Sequence, residues 1–529
     1  DRSNQSNQAD RSDQANPLAA EIRFDRIIPA TTRELSRTRE DGASYLPAEI
    51  DRSEGERVWR RRIWRHEAIV TGLRSGDRWP YRVRSCQHSQ TGPSEPSESG
   101  GVSEDRATDL LSDVFTLAAA PAPGQPLQIL LTSDHQLKPL VAANLASVEA
   151  LVGRVDAVFC AGDLVNVPDR ASEWFDDRRG GAFFPCLQGR ASITVGDRTY
   201  QGGQLIQNAP IFPAIGNHET MGRFGAFSRA DNLNTEFNDA FPRSIAQSLE
   251  PSLAEDPTGD RLADASFNYQ TYSEIFSLPR GSGQAPAYYA VSFGDVRLIV
   301  LCTAMAWRPP EPWPSMPGRY EEQTPPPADR REWGWGQVLL GPIDPSSAQY
   351  QWLEQELASP ACRAAKYRVV MMHHPLHTLG NNGVPAYTEP VPHLSHGPDG
   401  EVTAVSYTYP RDRDQLHQYV LPLLEKAGVH LVHFGHSHLW NRFQSHGIHC
   451  LETSNVGNTY GAAWGNDRRP VPLPEQPDYP AIGDLHGLEP ITPMINPLRD
   501  PETGAPLPFV ASNDLTVFSI LNTATGSIA

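Results

Sequence analysis

One arrangement occurs five times in this chain: an apolar run that stops abruptly in carboxylate, amide or imidazole side chains. Short apolar runs of this kind are typical of strands buried on both faces of a sheet. The five runs, in chain order, are LLTSDHQ, AVFCAGDLVN, APIFPAIGNHE, VVMMHHP and LVHFGHSH. Because ligands of open α/β sheets gather at the carboxyl ends of the strands, the five endings predict one shared site.

From Pro126 onward, strand patterns alternate with helix patterns. Residues 139–155 carry apolar side chains at helical spacing and lie between the first two runs, which predicts a β-α-β unit with parallel strands. SSAQYQWLEQELA and RDQLHQYVLPLLEKAG predict two further helices. We therefore predict an α/β domain over residues 122–529, with loop-rich insertions at 222–285, 305–345 and 465–510 that frame the site.

The part before this domain has a different pattern. Residues 18–121 contain short alternating stretches such as RVWRRRIW and RWPYRVRSC, separated by turn residues, and a Pro/Gly linker follows them. This spacing predicts a small all-β sandwich. Residues 1–17 contain no hydrophobe larger than alanine, and we expect a disordered leader there.

Bulk properties exclude several classes of protein. A net charge of −18 argues against nucleic acid as a partner, and no apolar run approaches the roughly 20 residues of a membrane helix. None of the six cysteines stands in a CxxC pair, which argues against a cysteine-only zinc site, whereas disulfides stay open. A start at Asp1 fits either a removed signal peptide or a trimmed chain, and we expect a secreted or periplasmic protein.

The residue types at the five endings suit a pair of metal ions. One Asp after a strand is commonly a helix cap or a turn former, but five such endings on one sheet favour a common purpose. Two nearby cations repel each other, and a shared carboxylate such as Asp163 offsets this repulsion. Terminal carboxylate, amide and imidazole donors complete each shell. Such a pair can hold a bridging hydroxide and direct it at phosphorus. Histidines are also concentrated here, since 12 of the 17 lie between His373 and His449.

The motifs SDHQ, GDLVN, GNHE, MHH and GHSH, in this order, resemble those of the calcineurin-like metallophosphoesterases. The closest resemblance is to the purple-acid-phosphatase-like branch. AYYAVSFGDVRLIVLCT and GPIDPSSAQYQWLEQEL are similar to a strand and a helix of that branch, and TGLRSGDRWPYRV with FTLAAAPAPGQP is similar to its fibronectin type III-like domain. The resemblance implies an α/β metallophosphoesterase domain that hydrolyses phosphate esters of small substrates with two metal ions, either Fe, Mn or Zn.

The resemblance also implies a role for individual residues. Asp134 and His438 would hold the first metal, Asp163 would bridge, and the second metal would be held by Asn217, His373 and His436. His218 would bind the phosphate or protonate the leaving oxygen, and Glu219 would orient His218. His393 and His396 lie in a region where the family contacts phosphate, so they are candidate substrate residues, although an ordinary surface loop is the alternative.

Two positions depart from the family pattern. Gln136 stands where the superfamily usually has a histidine, and Asn166 stands where purple acid phosphatases have a metal-bound tyrosine. Either amide oxygen is an alternative ligand of the first metal, and His135 is expected to face away. Four tryptophans in the second insertion form a lid or, more simply, pack the insertion: Trp307, Trp313, Trp333 and Trp335.

Three functions remain open at this point. Hydrolysis of phosphomonoesters is favoured. A phosphodiesterase or nucleotidase would use the same metals. A binding protein whose site has decayed is supported only by the two departures.

Overall fold

The computed structural model describes residues 22, 24–50, 52, 57–86, 109–222, 233–238, 241–255, 260–279, 287–307, 319–380, 386–465, 483–492 and 496–529. The predicted leader, Trp313 and much of the third insertion lie outside these ranges. Contacts divide the chain into two compact units. The first comprises residues 1–31 and 67–120, and the second comprises residues 32–66 and 121–529.

The strands before residue 120 are short. They are β1 Thr31–Glu34, β2 Arg39–Asp41, β3 Val58–Arg60, β4 Trp64–Glu67, β5 Arg78–Tyr81, β6 Arg84–Cys86, β7 Asp109–Leu111 and β8 Phe115–Ala118. Within the first unit, β5 pairs with β8 and β6 pairs with β7, both antiparallel. Residues 32–66, which we predict within the sandwich, cluster with the second unit. The fibronectin type III-like sandwich over residues 18–121 stays a prediction.

The second unit contains the remaining strands. They are β9 Gln128–Thr132, β10 Ala157–Cys160, β11 Ile193–Val195, β12 Arg198–Tyr200, β13 Ile211–Pro213, β14 Met221–Gly222, β15 Phe267–Asn268, β16 Tyr289–Phe293, β17 Val296–Val300, β18 Met305–Trp307, β19 Gln337–Leu339, β20 Tyr367–Met371, β21 Val391–His396, β22 Val402–Thr408, β23 Leu431–Phe434, β24 Trp440–Ser445, β25 Ile448–Thr453, β26 Phe509–Val510, β27 Ser519–Asn522 and β28 Ser527–Ile528.

Its helices are mostly short. They are α1 Val141–Val152, α2 Ala171–Phe175, α3 Phe183–Leu187, α4 Leu233–Asn238, α5 Arg243–Leu249, α6 Asp260–Ala265, α7 Gln270–Ile275, α8 Ala348–Leu357, α9 Pro360–Ala364 and α10 Leu421–Lys426. A π-helical turn, Leu416–Val420, directly precedes α10. Within the described ranges, no helix has the length and apolar character needed to span a bilayer.

Two mixed sheets organise the second unit. The first has the strand order β13-β10-β9-β27-β28, and the second has the order β16-β17-β20-β23-β25-β24-β26. β9, β10 and β13 run parallel, so the predicted β-α-β unit with parallel strands is confirmed. β17, β20, β23 and β25 are also parallel. These mixed sheets with helices fit the predicted α/β class.

Alternation along the strands separates the layers. Ile129 and Leu131 of β9 belong to an apolar core that also contains Leu298 of β17 and Met371 of β20, so this core lies between the two sheets. Leu130 faces the other way, into a core shared with α1. On the outer face of the second sheet, a further core contains residues of α8 and α10. The second unit is therefore a helix–sheet–sheet–helix sandwich whose parallel strands end near one another.

Candidate metal centre

Five strand ends supply the predicted donors. Each donor follows its strand within a few residues, so the strand positions the side chain: β9 precedes Asp134, β10 precedes Asp163, β13 precedes Asn217, β20 precedes His373, and β23 precedes His436 and His438. The first sheet supplies the carboxylates and the amide, and the second supplies the imidazoles. Side-chain and backbone contacts bring all six together.

The backbone is strained where several of these donors lie. Asp134, Asp163, His436 and His438 have φ values of 56°, 55°, 84° and 57°. Residues other than glycine are uncommon in this left-handed region, and each costs on the order of 1 kcal/mol or more. Strain of this kind clusters at functional sites, where the surrounding structure holds side chains in required positions.

Glycines allow two of the loops to approach the donors. A Cβ at Gly216 would lie 2.2 Å from Asp163 Oδ1, and one at Gly435 would lie 2.3 Å from Asp134 Oδ2. A real Cβ cannot come so close to an oxygen. Glycine is therefore required immediately before Asn217 and His436, which explains the GN and GH pairs in the sequence.

The Nε2 atom of His373 is the most crowded point of the centre. It lies 3.3 Å from Asp163 Oδ2, 3.2 Å from Asn217 Oδ1 and 3.3 Å from His436 Nδ1. On the other side of the ring, Nδ1 donates a hydrogen bond to the Ala161 carbonyl at 2.8 Å. In a neutral ring this bond leaves the lone pair on Nε2, which is the form that binds a metal.

Asp134 and His438 form the other half. His438 Nε2 lies 3.4 Å from Asp134 Oδ1, and the backbone N–H of His436 donates to both oxygens of the same carboxylate. The Asn458 amide donates to His438 Nδ1 at 2.9 Å. A half-turn of that amide would present its oxygen to a protonated Nδ1, and His438 Nε2 would then carry the lone pair.

The buried charges influence one another strongly. Burial disfavours ionised Asp163, but the nearby His373 and His218 hold the pKa of this carboxyl well below its usual range. Burial would lower the pKa of His373, but Asp163 outweighs it and raises that pKa to about 10. Burial, together with His373, holds the pKa of His436 well below its usual range, so His436 is neutral. His373 therefore holds a proton in the metal-free protein, and a cation that binds beside anionic Asp163 would displace this proton.

Gln136 and Asn166 occupy different positions. The Gln136 amide nitrogen donates to Asp163 Oδ2 at 2.9 Å, and its Oε1 is buried without a hydrogen-bond partner among the described residues. The Asn166 side chain instead donates to the backbone carbonyl of Gln136. Of the two alternatives, Gln136 has the amide oxygen that is left unsatisfied. His135 faces away, as predicted, and contacts Thr132 and Phe183.

His218 lies at the rim of the centre. Its side chain is 25% exposed, and its Nε2 is 4.0 Å from Asp163 Oδ2. Nδ1 donates to the Asn166 carbonyl at 2.7 Å, and the ring stacks on Phe237 with centroids 4.7 Å apart. The ring is thus held by one hydrogen bond and one aromatic face, and Nε2 is directed toward the carboxylate of the centre.

Glu219 forms hydrogen bonds with the backbone of the loops that carry the donors. The sequence predicts that it orients His218, but its carboxylate accepts hydrogen bonds from the backbone N–H groups of Asp163, Leu164 and Gly216, each at 2.8 Å. Burial and the charge of Asp163 raise the pKa of Glu219 to about 8. The contact that orients His218 comes from Asn166 instead.

Two supporting residues, Glu452 and Tyr460, could not be predicted from the sequence pattern. Glu452 accepts hydrogen bonds from Ser437 N, Thr378 Oγ1 and Asn441 Nδ2, and so fixes the turn between His436 and His438. The ring of Tyr460 packs against that of His438, with centroids 4.7 Å apart and planes inclined by 32°, and Tyr460 is 57% exposed. Neither Glu452 nor Tyr460 belongs to one of the five repeated endings, and only tertiary contact reveals them.

The candidate substrate residues His393 and His396 lie on β21, in a hairpin with β22. Both are exposed, and His393 Nε2 bonds to Thr408 Oγ1 at 2.9 Å. A role in phosphate binding stays a prediction. Trp333 packs against Trp335, which fits the packing interpretation of these two tryptophans.

The residues present fit a metal centre. Two groups of possible ligands lie here, Asp134 with Asp163 and His373, and His373 with His374 and His436. Two further features fit metal binding. The Gln136 Oε1 atom has no hydrogen-bond partner among the described residues, and the bond to the Ala161 carbonyl directs the His373 lone pair inward. Carboxylate, amide and imidazole donors together suit Zn, Mn or Fe better than Ca or Mg.

No protein-family model matches the chain, and no curated protein matches it. Among solved structures, it is similar to the purple acid phosphatase PPD1 from yellow lupin (Lupinus luteus) seeds, with 15% identity, a TM-score of 0.45, and coverage of 91% of this chain and 66% of that one. PhoD matches with 16% identity, a TM-score of 0.32 and coverage of 65% and 60%. GAP50, the anchor in the inner membrane complex of Plasmodium, matches with 11% identity, a TM-score of 0.30 and coverage of 65% and 76%. The chain thus spans less than two thirds of the length of the first two.

Proposed function

We propose that this chain is a metal-dependent phosphoesterase that hydrolyses phosphate esters, preferentially phosphomonoesters, at the ends of its parallel strands. The observation that carries the proposal is the surroundings of His373 Nε2, where donor atoms of Asp163, Asn217 and His436 stand at 3.2–3.3 Å. Ligands bound to one ion at about 2.1 Å stand about 3 Å apart, so this spacing supports coordination.

Two ions would be held by separate sets of residues. Asp134 and His438 would hold one, with Gln136 Oε1 as a further donor. Asn217, His373 and His436 would hold the other, and Asp163 would be shared. When bound, the ions supply Lewis acidity and an activated water for displacement at phosphorus.

The protein's own groups then have distinct tasks. Asp163 keeps its negative charge because its pKa is held low, so it can be shared between two cations. Glu219 and Glu452 fix the loops that present the donors. His218 Nε2, directed into the centre while Nδ1 is bound to Asn166 O, can deliver a proton to the leaving oxygen of the ester.

The experiment measures the turnover of p-nitrophenyl phosphate and of bis(p-nitrophenyl) phosphate. The metal content of the same protein sample is determined by elemental analysis. We expect about two ions per chain at this centre, faster turnover of the monoester, and loss of both of these metals and of turnover after chelation. Faster turnover of the diester would favour a phosphodiesterase. Two bound metals without turnover of either ester would favour the binding protein, and metal-free protein with undiminished turnover would contradict the proposal.

A further inference from the structure

A second group of imidazole and carboxylate side chains lies apart from the donors of the proposed centre. Asp414, His417 and His486 each bring one possible ligand atom within 4.8 Å of the other two. Asp414 is buried, and both histidines are half-buried. Asp414 and His417 come from the start of the π-helical turn, whereas His486 comes from the loop 483–492. The proposed phosphoesterase chemistry assigns none of them a role.

Local sequence explains the unusual turn. Pro422 stands near the start of α10 and has no N–H with which to close an ordinary helical turn. The chain before it forms the wider π-helical turn, a feature often found at functional sites. Asp414 Oδ1 accepts hydrogen bonds from Leu416 N and His417 N at 3.0 and 3.2 Å. Asp414 Oδ2 lies 3.1 Å from His486 Nε2 and also accepts a bond from Tyr387 N.

The ring nitrogens of His377 and His417 give a second, independent indication of a metal site. His377 Nδ1 bonds to Asp484 Oδ1 at 3.0 Å, and His377 Nε2 is buried without a hydrogen-bond partner among the described residues. His377 is 4% exposed and packs edge-on against His417, with centroids 4.8 Å apart. His417 Nε2 donates to the Leu376 carbonyl at 2.9 Å. A histidine that binds a metal through one ring nitrogen usually donates the other to a carbonyl or a carboxylate, as both rings do here.

We propose that Asp414, His417 and His486 bind a single Zn²⁺ ion and that His377, whose ring packs against His417, supplies a fourth donor. Imidazole with one carboxylate is a ligand set that zinc favours, whereas Ca²⁺ and Mg²⁺ prefer oxygen throughout. The site is independent of the proposed phosphoesterase function, because none of these residues is a donor of that centre.

Zinc binding requires one rearrangement. His417 and His486 now stack with centroids 3.4 Å apart and planes inclined by 21°. Two imidazoles on one tetrahedral ion have centroids about 5 Å apart, so the stacked pair must open. His486 lies on a loop, and turning its side chain opens the stack without moving the helix. His377 and His417 already have a spacing close to that value.

A zinc ion here would act on structure. It would join the loop 483–492 to the π-helical turn and to the segment that carries His377, four residues after His373. A closed site with four protein ligands stabilises a fold and has no open position for substrate. The expected consequence is a more stable second unit when zinc is present.

The experiment counts zinc in the full chain by equilibrium dialysis and elemental analysis. We expect His486→Gln to bind one equivalent fewer than the unmodified chain, and the matched control His446→Gln, at an exposed residue paired with Glu425, to bind as many as the unmodified chain. Asp163→Ala, which disrupts only the proposed phosphoesterase centre, should retain one equivalent. A His486→Gln chain with the full zinc count would overturn the proposal.

A conservative variant distinguishes the loss of zinc binding from a folding defect. Asp414→Asn keeps an oxygen for the N–H groups of Leu416 and His417 but removes the charge that binds a cation. We expect it to lose the same equivalent while its circular dichroism stays that of the unmodified chain, and its melting temperature should no longer rise with added zinc. A folded Asp414→Asn chain with the full zinc count and the full thermal response would also overturn the proposal.

Discussion

The carboxylate of Asp163 and the imidazole of His373 face each other across 3.3 Å, although they belong to different sheets. Asp163 follows β10 of the five-stranded sheet, and His373 follows β20 of the seven-stranded sheet. The centre therefore exists only when the two sheets pack together, and the core between them fixes the separation of oxygen and nitrogen donors. Metal affinity and packing of the two sheets are coupled for this reason.

Replacing Asp163 by alanine should abolish hydrolysis and metal binding at the proposed phosphoesterase centre. The change removes the oxygen shared by the proposed ions and leaves His373 without its anionic neighbour. We expect turnover to fall by about 10³-fold or more, since a metal supplies several kcal/mol of stabilisation to the transition state. Elemental analysis and p-nitrophenyl phosphate turnover measure the two effects on one sample.

The control for this prediction is Asp412→Ala, at an exposed aspartate in the short turn Arg411–Arg413. It should retain both metals of the proposed phosphoesterase centre and full turnover. Near-normal turnover in Asp163→Ala with both metals of this centre still bound would show that the shared-carboxylate assignment is wrong.

Replacing His218 by alanine should leave the metals in place and slow turnover by roughly 10²- to 10⁴-fold, the usual range for a lost general acid. Because a good leaving group needs little protonation, the loss should be smaller for p-nitrophenyl phosphate than for an alkyl phosphate. Steady-state kinetics with both esters test this difference. An equal loss for both would assign His218 to phosphate binding instead.

Glu173 should act on catalysis through Asn166. Its Oε2 accepts hydrogen bonds from Asn166 N at 2.6 Å and Val167 N at 3.0 Å, and Asn166 O in turn holds His218 Nδ1. Glu173→Gln weakens both backbone bonds, so we expect roughly a 10-fold loss of turnover for an alkyl phosphate.

Glu173→Gln should slow the turnover of p-nitrophenyl phosphate less than that of an alkyl phosphate, because the substitution disturbs the orientation of the proton donor His218. Glu149→Gln, at an exposed glutamate of α1, is the matched control and should change neither rate. If Glu173→Gln slows both esters equally, Glu173 has a structural role alone.

The parts of this molecule that sequence predicted are those that depend on local pattern. An apolar run followed by a donor specifies both a buried strand and the position of the next side chain, so the β9–α1–β10 unit and its parallel pairing were predictable. Strand ends of parallel sheets then meet by geometry, which places Asp134 beside His438 although 304 positions separate them.

The parts that sequence missed depend on contacts between distant segments. Asn458 and Tyr460 lie in a loop after β25 and follow no donor pattern, but they contact His438. The segment 32–66 has the alternation of a sandwich strand, and yet it clusters with the second unit. Buried ion pairs hold it there, notably Asp41 with Arg170, and pairing of charges across such a distance leaves no periodic signal.

Acid should destabilise the fold through His433. This residue is buried in β23, and burial lowers its pKa from 6.5 to about 3. The unfolded chain therefore binds a proton more readily than the folded chain between these two pH values. The contribution to stability is complete above about pH 6.5 and is lost progressively as the pH falls toward 3.

Urea unfolding of metal-free protein at pH 7 and pH 4.5 tests this. Between these pH values, His433→Gln should lose about 2–3 kcal/mol less of its free energy of unfolding than the unmodified chain, because two pH units below 6.5 correspond to about that energy. His446→Gln, at an exposed histidine, should lose as much as the unmodified chain. Equal losses in all three proteins would mean that His433 does not drive the acid sensitivity.

The last prediction concerns Gln136, whose amide nitrogen contacts the Asp163 carboxylate while its oxygen has no hydrogen-bond partner among the described residues. An amide is a weak neutral ligand, so Gln136→His should raise the affinity for the first metal by roughly tenfold, because imidazole is the better donor for late first-row ions.

Neither Gln136 nor Asn166 can transfer charge to ferric iron as a tyrosinate does. We therefore expect the iron-loaded protein to be colourless or nearly so, and a visible spectrum beside a metal count on the same sample checks this. Tyr460, whose ring packs against His438, is the tyrosine to replace as a control. An intense band in the visible region that disappears in Tyr460→Phe would place a tyrosinate on the metal, and the assignment of Gln136 to the first ion would then be wrong.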